Sequence, residues 1–462
     1  MPVDTIIAGG TVVTHDDTFE ASVAIDGEQI VGVGSERSLP DADRVIDAGG
    51  MYVMPGLIDA QTHVHDRSSL DTHETAGSAA ALGGITTYMD FSWMYVDHQP
   101  HKPTQTLLEG IRRKQDKAEG KAVVDYALHG GITDDTEEVL DELEAAHEAG
   151  VTSFKMFTGG TFPISYGLIN LVFERLADLG GVGVFHTEDS SVCNRLADRL
   201  QREGKSDPQY FAESRPDYAE AMAADCVARL AKEHGAKYFG IHTTSRAAAD
   251  VIDRYREDGS DVRAETCTHY TIYDDSAFEA YGNLVKIAPP LRTADDVEAM
   301  FEYLEKGTLD LVSTDHCCYK RADKVDMPWW ESTSGANQLQ TSVPVFWDEA
   351  VNRRNYDPTF VVEKMSTATA RIYGMPDKGT LDPGTDADVV VFDPDETYTI
   401  DPNDNASKAD YSIYEGREVT GRVKQTFVRG QLVADDGEIV IDPGYGQFVE
   451  REVPNWSWRA NE

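Results

Sequence analysis

Gly56-Leu57-Ile58-Asp59-Ala60-Gln61-Thr62-His63-Val64-His65 is the stretch from which the chain is read. An apolar, β-prone run from Met51 to Ile58 leads into two histidines spaced i, i+2. Side chains alternate along a strand with period two, so on a strand both imidazoles share a face and His63 and His65 are placed to grip one metal ion together. A bare His-x-His pair also occurs as two unrelated polar residues, one on a strand and one in the loop beyond it. The surrounding sequence has to decide.

Outward from that stretch, residues 53–375 alternate short apolar runs with helical patterns. Eight runs read as strands: Met51–Ile58, Ile85–Phe91, Ala122–Leu128, Val151–Phe157, Val182–Phe185, Tyr238–Ile241, Val262–Thr266 and Leu309–Ser313. Helix-like segments such as Glu137–Ala149, Ala219–Lys232 and Ala294–Lys306 lie between most of them. Eight βα units in one block predict an α/β fold, a TIM-like (β/α)8 barrel. An open doubly wound sheet is the competing architecture, but no Gly-x-Gly-x-x-Gly or P-loop pattern accompanies these runs. The flanks differ. Residues 1–52 carry alternating strands with turns at Gly9-Gly10 and Asp26-Gly27, and residues 376–450 carry a matching set around Asp388–Phe392, Gly421–Val433 and Glu438–Ile441. Each end alone has too few strands for a core, so the two are expected to pair into one small β-sandwich, with 451–462 as a tail.

Composition narrows the classes of function. The formal net charge is -41, with 82 acidic against 41 basic residues spread along all 462 positions. Such a field repels nucleic acid and anionic membranes, and neither is expected as a partner. Spread acidity with few lysines resembles proteins of salt-loving organisms, in which high salt screens the repulsion. Five scattered cysteines with no Cys-x-x-Cys suit a reducing compartment. No apolar run approaches the roughly 20 residues of a membrane span, and the first residues lack a secretory pattern. The expectation is a cytoplasmic protein.

In a barrel the active site lies at the C-terminal ends of the strands. There the first run leads to His63 and His65, the fourth embeds Lys155 in Val151–Phe157, the fifth ends at His186, the sixth at His242, and the eighth runs through Asp315 to His316. A lone histidine ending a strand is commonly structural, and a lone lysine in an apolar strand commonly snorkels. Their recurrence at successive strand ends points to a metal site. Four histidines, a carboxylate and a lysine exceed the three protein ligands of one catalytic zinc, which favours two ions. Protonated Lys155 cannot ligate, whereas its carbamate, formed with carbon dioxide, offers two oxygens that can bridge two cations.

Here the chain resembles the cyclic amidohydrolases of the metal-dependent amidohydrolase superfamily: dihydropyrimidinase/hydantoinase, allantoinase and dihydroorotase. The resemblance runs through Met54–Asp59 into His63-Val64-His65, Gly83–Thr87, Ser153–Phe157, Pro289–Arg292, Ser313–Cys317, Lys378–Asp388 and Tyr414–Gly421. It implies that His63, His65, carboxylated Lys155 and Asp315 surround one metal and that Lys155, His186 and His242 hold the other. It also implies two divalent cations, zinc or alternatively manganese, iron or cobalt, and a homo-oligomer, dimer or tetramer. The substrate would be a small cyclic amide or ureide, with Asp315 passing the proton of the attacking water to the departing ring nitrogen. Relatives that are structural or regulatory proteins have lost their ligands, and filled ligand positions therefore argue for an enzyme.

The substrate loops depart from the family pattern. Thr158-Gly159-Gly160-Thr161 stands where hydantoinases place a tyrosine, the nearest being Tyr166, and Ala288 replaces a usual serine. Residues 332–341 partly resemble allantoinases, which makes Asn337 a candidate for ring recognition. Arg67 sits where dihydroorotases hold a substrate carboxylate, although Ser68-Ser69 follows in place of Glu-Pro; its other reading is an ion pair with Asp66 or Asp71. The Ser-Thr-Asp-His-Cys and Tyr-Glu-Gly stretches favour the hydantoinase/dihydropyrimidinase branch.

Overall fold

The computed structural model describes residues 2–66, 69–95 and 105–457. Its N-terminal strands are β1 (Val3–Val13), β2 (Thr18–Asp26), β3 (Gln29–Gly34), β4 (Ala42–Asp47) and β5 (Tyr52–Pro55). Gly9-Gly10, read as a turn, lies inside β1. Pairing with β2 slips by one residue between Ile7 and Gly10, and Gly9 takes φ 71, so these glycines form a bulge and the strand continues.

The barrel strands are β6 (Leu57–His63), β7 (Ile85–Trp93), β8 (Asp125–Gly131), β9 (Ser153–Phe157), β10 (Val182–His186), β11 (Lys237–Gly240), β12 (Val262–Cys267), β13 (Leu311–Ser313) and β14 (His316–Cys317). Neighbours pair in parallel in chain order, and β14 returns to pair with β6, His316 opposite Thr62 and Cys317 opposite His63. Strands β13 and β14 are two parts of one path broken at Thr314-Asp315, so eight strand positions close the ring. Helices cover the outside, among them Leu107–Ala118, Asp217–His234 and Ala294–Lys306. Strands buried on both faces need no alternation, which is why all nine residues of β7 are buried and why the sequence shows continuous apolar runs. Helix starts are written locally: Thr106 with Glu109, and Thr293 with Asp296, form reciprocal capping boxes.

The run Met51–Ile58, read as the first barrel strand, is divided between two sheets. Tyr52–Pro55 pairs with β1 and with β15 (Val389–Thr399), whereas Leu57 opens the barrel. The chain crosses at Gly56, where a Cβ would collide with the buried side chain of Thr86. The remaining C-terminal strands are β16 (Glu418–Val428), β17 (Gln431–Asp435) and β18 (Glu438–Ile439). The two chain ends meet along β5 and β15, with Val53 opposite Val391, in one continuous sheet ordered β18-β17-β16-β15-β5-β1-β2-β3, with β4 added on β1. That sheet curls round a core of Ile7, Val23, Ile25, Val53, Val389, Val391 and Phe427.

Buried ion pairs tie the units together. Lys378 Nζ lies 2.7 Å from Asp125 of β8 and 2.9 Å from Asp388 beside β15. Residues read as a tail contribute as well. Trp456 is buried in the cluster that holds Val182, Val184, Phe239 and Leu311, its backbone oxygen accepting from Arg263 and its ring nitrogen donating to the carbonyl of Ile372.

Candidate metal centre

A cavity of about 590 Å³ opens at the C-terminal ends of the barrel strands, a volume suited to a small ring. Its wall includes Gln61 and His63 of β6, Lys155 and Phe157 of β9, His186 of β10, His242 just past β11, and Asp315 and Cys317 of the broken last strand. His242 and Asp315 take φ 41 and φ 49, left-handed backbone that costs a side-chain-bearing residue about 1–2 kcal/mol. Strain of this kind clusters at functional sites.

One half of the centre is nitrogen-rich. His186 Nδ1 and His242 Nε2 lie 3.0 Å apart. The other nitrogen of His186 meets Glu188 at 2.8 Å, and Arg215 donates to both oxygens of that carboxylate. Burial alone would push the Glu188 carboxyl up, but the Arg215 and His186 charges hold it well below its ordinary value. Such a partner fixes the ring orientation of a ligating histidine. Lys155 is buried against the rings of Phe157 and Phe91, its Nζ 4.2 Å and 5.8 Å from their centres. Burial drives its ammonium well below the usual lysine value, and its Nζ finds no hydrogen-bond partner. A buried amine with no hydrogen-bond partner, beside two imidazoles, has the chemistry needed for carbamate formation and metal ligation.

The other half is oxygen-rich. His63 Nε2 lies 3.5 Å from Asp315 Oδ1, and its Nδ1 lies 3.7 Å from Asp66. Burial would depress this imidazole, yet the two carboxylates outweigh it and raise the pKa to about 9. Gln61 Nε2 donates to Asp315 Oδ1 at 2.8 Å, and Gln61 Oε1 is buried with no hydrogen-bond partner. His63, Asp315 and Cys317 offer donor atoms within 4.8 Å of one another. The orphaned Lys155 and Gln61 atoms, together with the convergent imidazoles, fit a cation-binding centre.

The structure thus brings together His63, Lys155, His186, His242 and Asp315, but not His65. Strand β6 stops at His63, His65 takes φ 51, and its side chain lines a separate small pocket with Asp66, Lys114 and Lys117. Period two aligns the two histidines only if both lie on the strand; the residue that reaches the cavity with His63 is Gln61, two positions earlier. Asn337 is buried, its Oδ1 has no partner, and it is not among the lining residues, which at this loop are Ser332 to Gly335. Arg67 lies outside the described residues. Tyr166 is 39% exposed on a helix start and does not line the cavity; Tyr95 and Tyr319 do. Sequence reasoning also missed Glu188 and Arg215. Glu188 has a signal, lying two residues past His186, whereas Arg215 arrives from a distant loop and has none.

A barrel with convergent imidazole, carboxylate and buried lysine groups at its strand ends defines a class of metal-type hydrolases. The amidohydrolase family profile matches residues 186–433. A D-hydantoinase of Ralstonia pickettii is 33% identical across 97% of this chain and 99% of its own length. An allantoinase of Salmonella choleraesuis is 32% identical over the same shares. The crystal structure of dihydropyrimidinase from Brevibacillus agri superimposes with a TM-score of 0.93 at 31% identity, covering 98% of this chain and 99% of that one. The chain belongs to the amidohydrolase family. It is a hydrolase acting on C–N bonds of cyclic amides.

Proposed function

We propose that the cavity binds a five- or six-membered cyclic ureide or imide and hydrolyses one ring C–N bond, releasing an N-carbamoyl acid or its amide analogue. The observation that carries this reading is the buried, unpartnered Lys155 amine at a strand end beside His186 and His242. Lys155 as its carbamate, with His186, His242, His63 and Asp315, would hold divalent ions, zinc by preference and otherwise manganese, iron or cobalt. Such ions supply Lewis acidity, polarising a carbonyl and lowering the pKa of water by many units. Asp315 accepts the proton of the attacking water and returns it to the leaving ring nitrogen. Trp93, Phe157 and Phe162 flank the ring, and Tyr95 and Tyr319 bring to the cavity the phenols that 158–161 lacks. Arg67 would serve a substrate carboxylate.

Dihydrouracil and hydantoin are the leading substrates, supported by the hydantoinase and dihydropyrimidinase likenesses. Allantoin follows, supported by relatives named allantoinase, and dihydroorotate is third. Purified protein in molar salt should open at least one of the four, read as loss of ring-amide absorbance. Inactivity on all four with metal bound would overturn the reading. Excess acidity supports a high-salt habitat, free cysteines support a cytoplasmic setting, and a homo-oligomer is the assembly to be tested by light scattering in molar salt. No helix among the described residues is long and apolar enough to cross a membrane.

A further inference from the structure

Resting on that reading and deepening it, we propose that the two metal positions are unequal: the ion at Lys155, His186 and His242 is retained, while the ion between His63, Asp315 and Gln61 exchanges readily. The reason is Gln61. Two residues apart on β6, Gln61 and His63 both reach the cavity, whereas His65 lies past the strand end in another pocket. The place beside His63 that a second imidazole would need is therefore filled by a neutral amide. Its Nε2 donates to Asp315 Oδ1, already 3.5 Å from His63 Nε2, and only its Oε1, buried and without a hydrogen-bond partner, is left to face a cation.

Donor chemistry then sets the order of affinity. Imidazole suits zinc, whereas an amide carbonyl suits harder ions such as manganese. The retained position has two imidazoles, one of them braced by Glu188 and Arg215, and the lysine. The exchangeable position has one imidazole, one carboxylate shared with an amide N–H, and one amide oxygen, a Lys155 carbamate being common to both positions, so it should take manganese in preference to zinc. Cys317 is the nearby side chain that could make up the deficit, since its sulfur lies with the His63 and Asp315 donors within 4.8 Å.

Elemental analysis after zinc loading and dialysis against a mild chelator tests this without reference to turnover. Wild-type protein should keep about one zinc per chain, and Gln61→His about two, because imidazole is the better zinc donor. Gln61→Glu provides a second variant should the histidine disturb folding. It should tighten manganese binding to the one-zinc protein, followed by titration calorimetry. Two zinc ions retained equally by wild type would overturn the proposal while leaving the hydrolase reading intact, and a fall to one in Cys317→Ser would name the sulfur as the cause. No zinc retained by wild type or either variant would overturn both. Gln61→His with wild-type zinc content and Gln61→Glu with wild-type manganese affinity would together exclude Gln61 as the determinant.

Discussion

Under the cavity loop Ser332–Gly335 sit two buried lysines held by backbone carbonyls. Lys324 Nζ donates to the carbonyls of Lys286 and Gly335, and Lys286 Nζ donates to the carbonyl of Ser332. Burial, reinforced by their mutual charge for Lys324 and by Arg215 for Lys286, pushes each down to about 7. A lysine whose folded pKa lies below its unfolded value near 10.4 leaves the unfolded chain holding more protons between those values, so stability rises with pH across that window. Below pH 7 the full penalty of charging the buried amine is present. Lys324→Met should flatten that rise, by at most about 1.4 kcal/mol per pH unit. Denaturant midpoints at pH 7 and pH 9.5 in molar salt measure it, and parallel slopes for variant and wild type would contradict it. Residue by residue, the site is only partly legible in the sequence. Lys155 is legible because it stands inside an apolar run, and His186, His242 and Asp315 because each follows the end of one. His65 is misplaced because nothing in the string marks where β6 stops, and Gln61 is passed over because a buried glutamine carries no pattern of its own.

Among the secondary-structure elements, the barrel is legible for a related reason. Parallel strands buried on both faces write themselves as apolar runs, and these persist whatever their register. The change of sheet at Gly56 is hidden inside such a run, since β5 and β6 are equally apolar where they adjoin. The C-terminal segment is hidden differently: Arg451 and Trp456 look like surface residues in sequence, yet they pack under the barrel, Arg451 donating to Ser153 at 2.9 Å. Trp456→Ala should therefore destabilise the whole barrel, by about 3–5 kcal/mol. Chemical denaturation checks this, and a loss under ~0.5 kcal/mol, as for a surface substitution, would show the segment to be an appendage.

Across the whole molecule, the salt-adapted reading expects charge to govern stability. An excess of 41 negative charges lies on one chain, and the surface ion pairs, such as Arg246 with Glu302 or Lys232 with Asp258, leave that excess unchanged. The Debye length shrinks from about 10 Å at 0.1 M salt to about 3 Å at 1 M, so added salt removes repulsion that the fold cannot. The melting temperature should climb steeply between dilute buffer and molar salt, and a flat profile would contradict the salt-adapted reading. On that reading, assays of chemistry belong in molar salt.

The reaction proposed for this cavity requires Lys155 as a modified ligand, and Lys155→Ala tests that directly. In molar salt the variant should lose bound metal and ring-opening activity together, and a small added carboxylic acid, standing in for the carbamate, should restore part of both. Full activity of Lys155→Ala with no such additive would contradict the account.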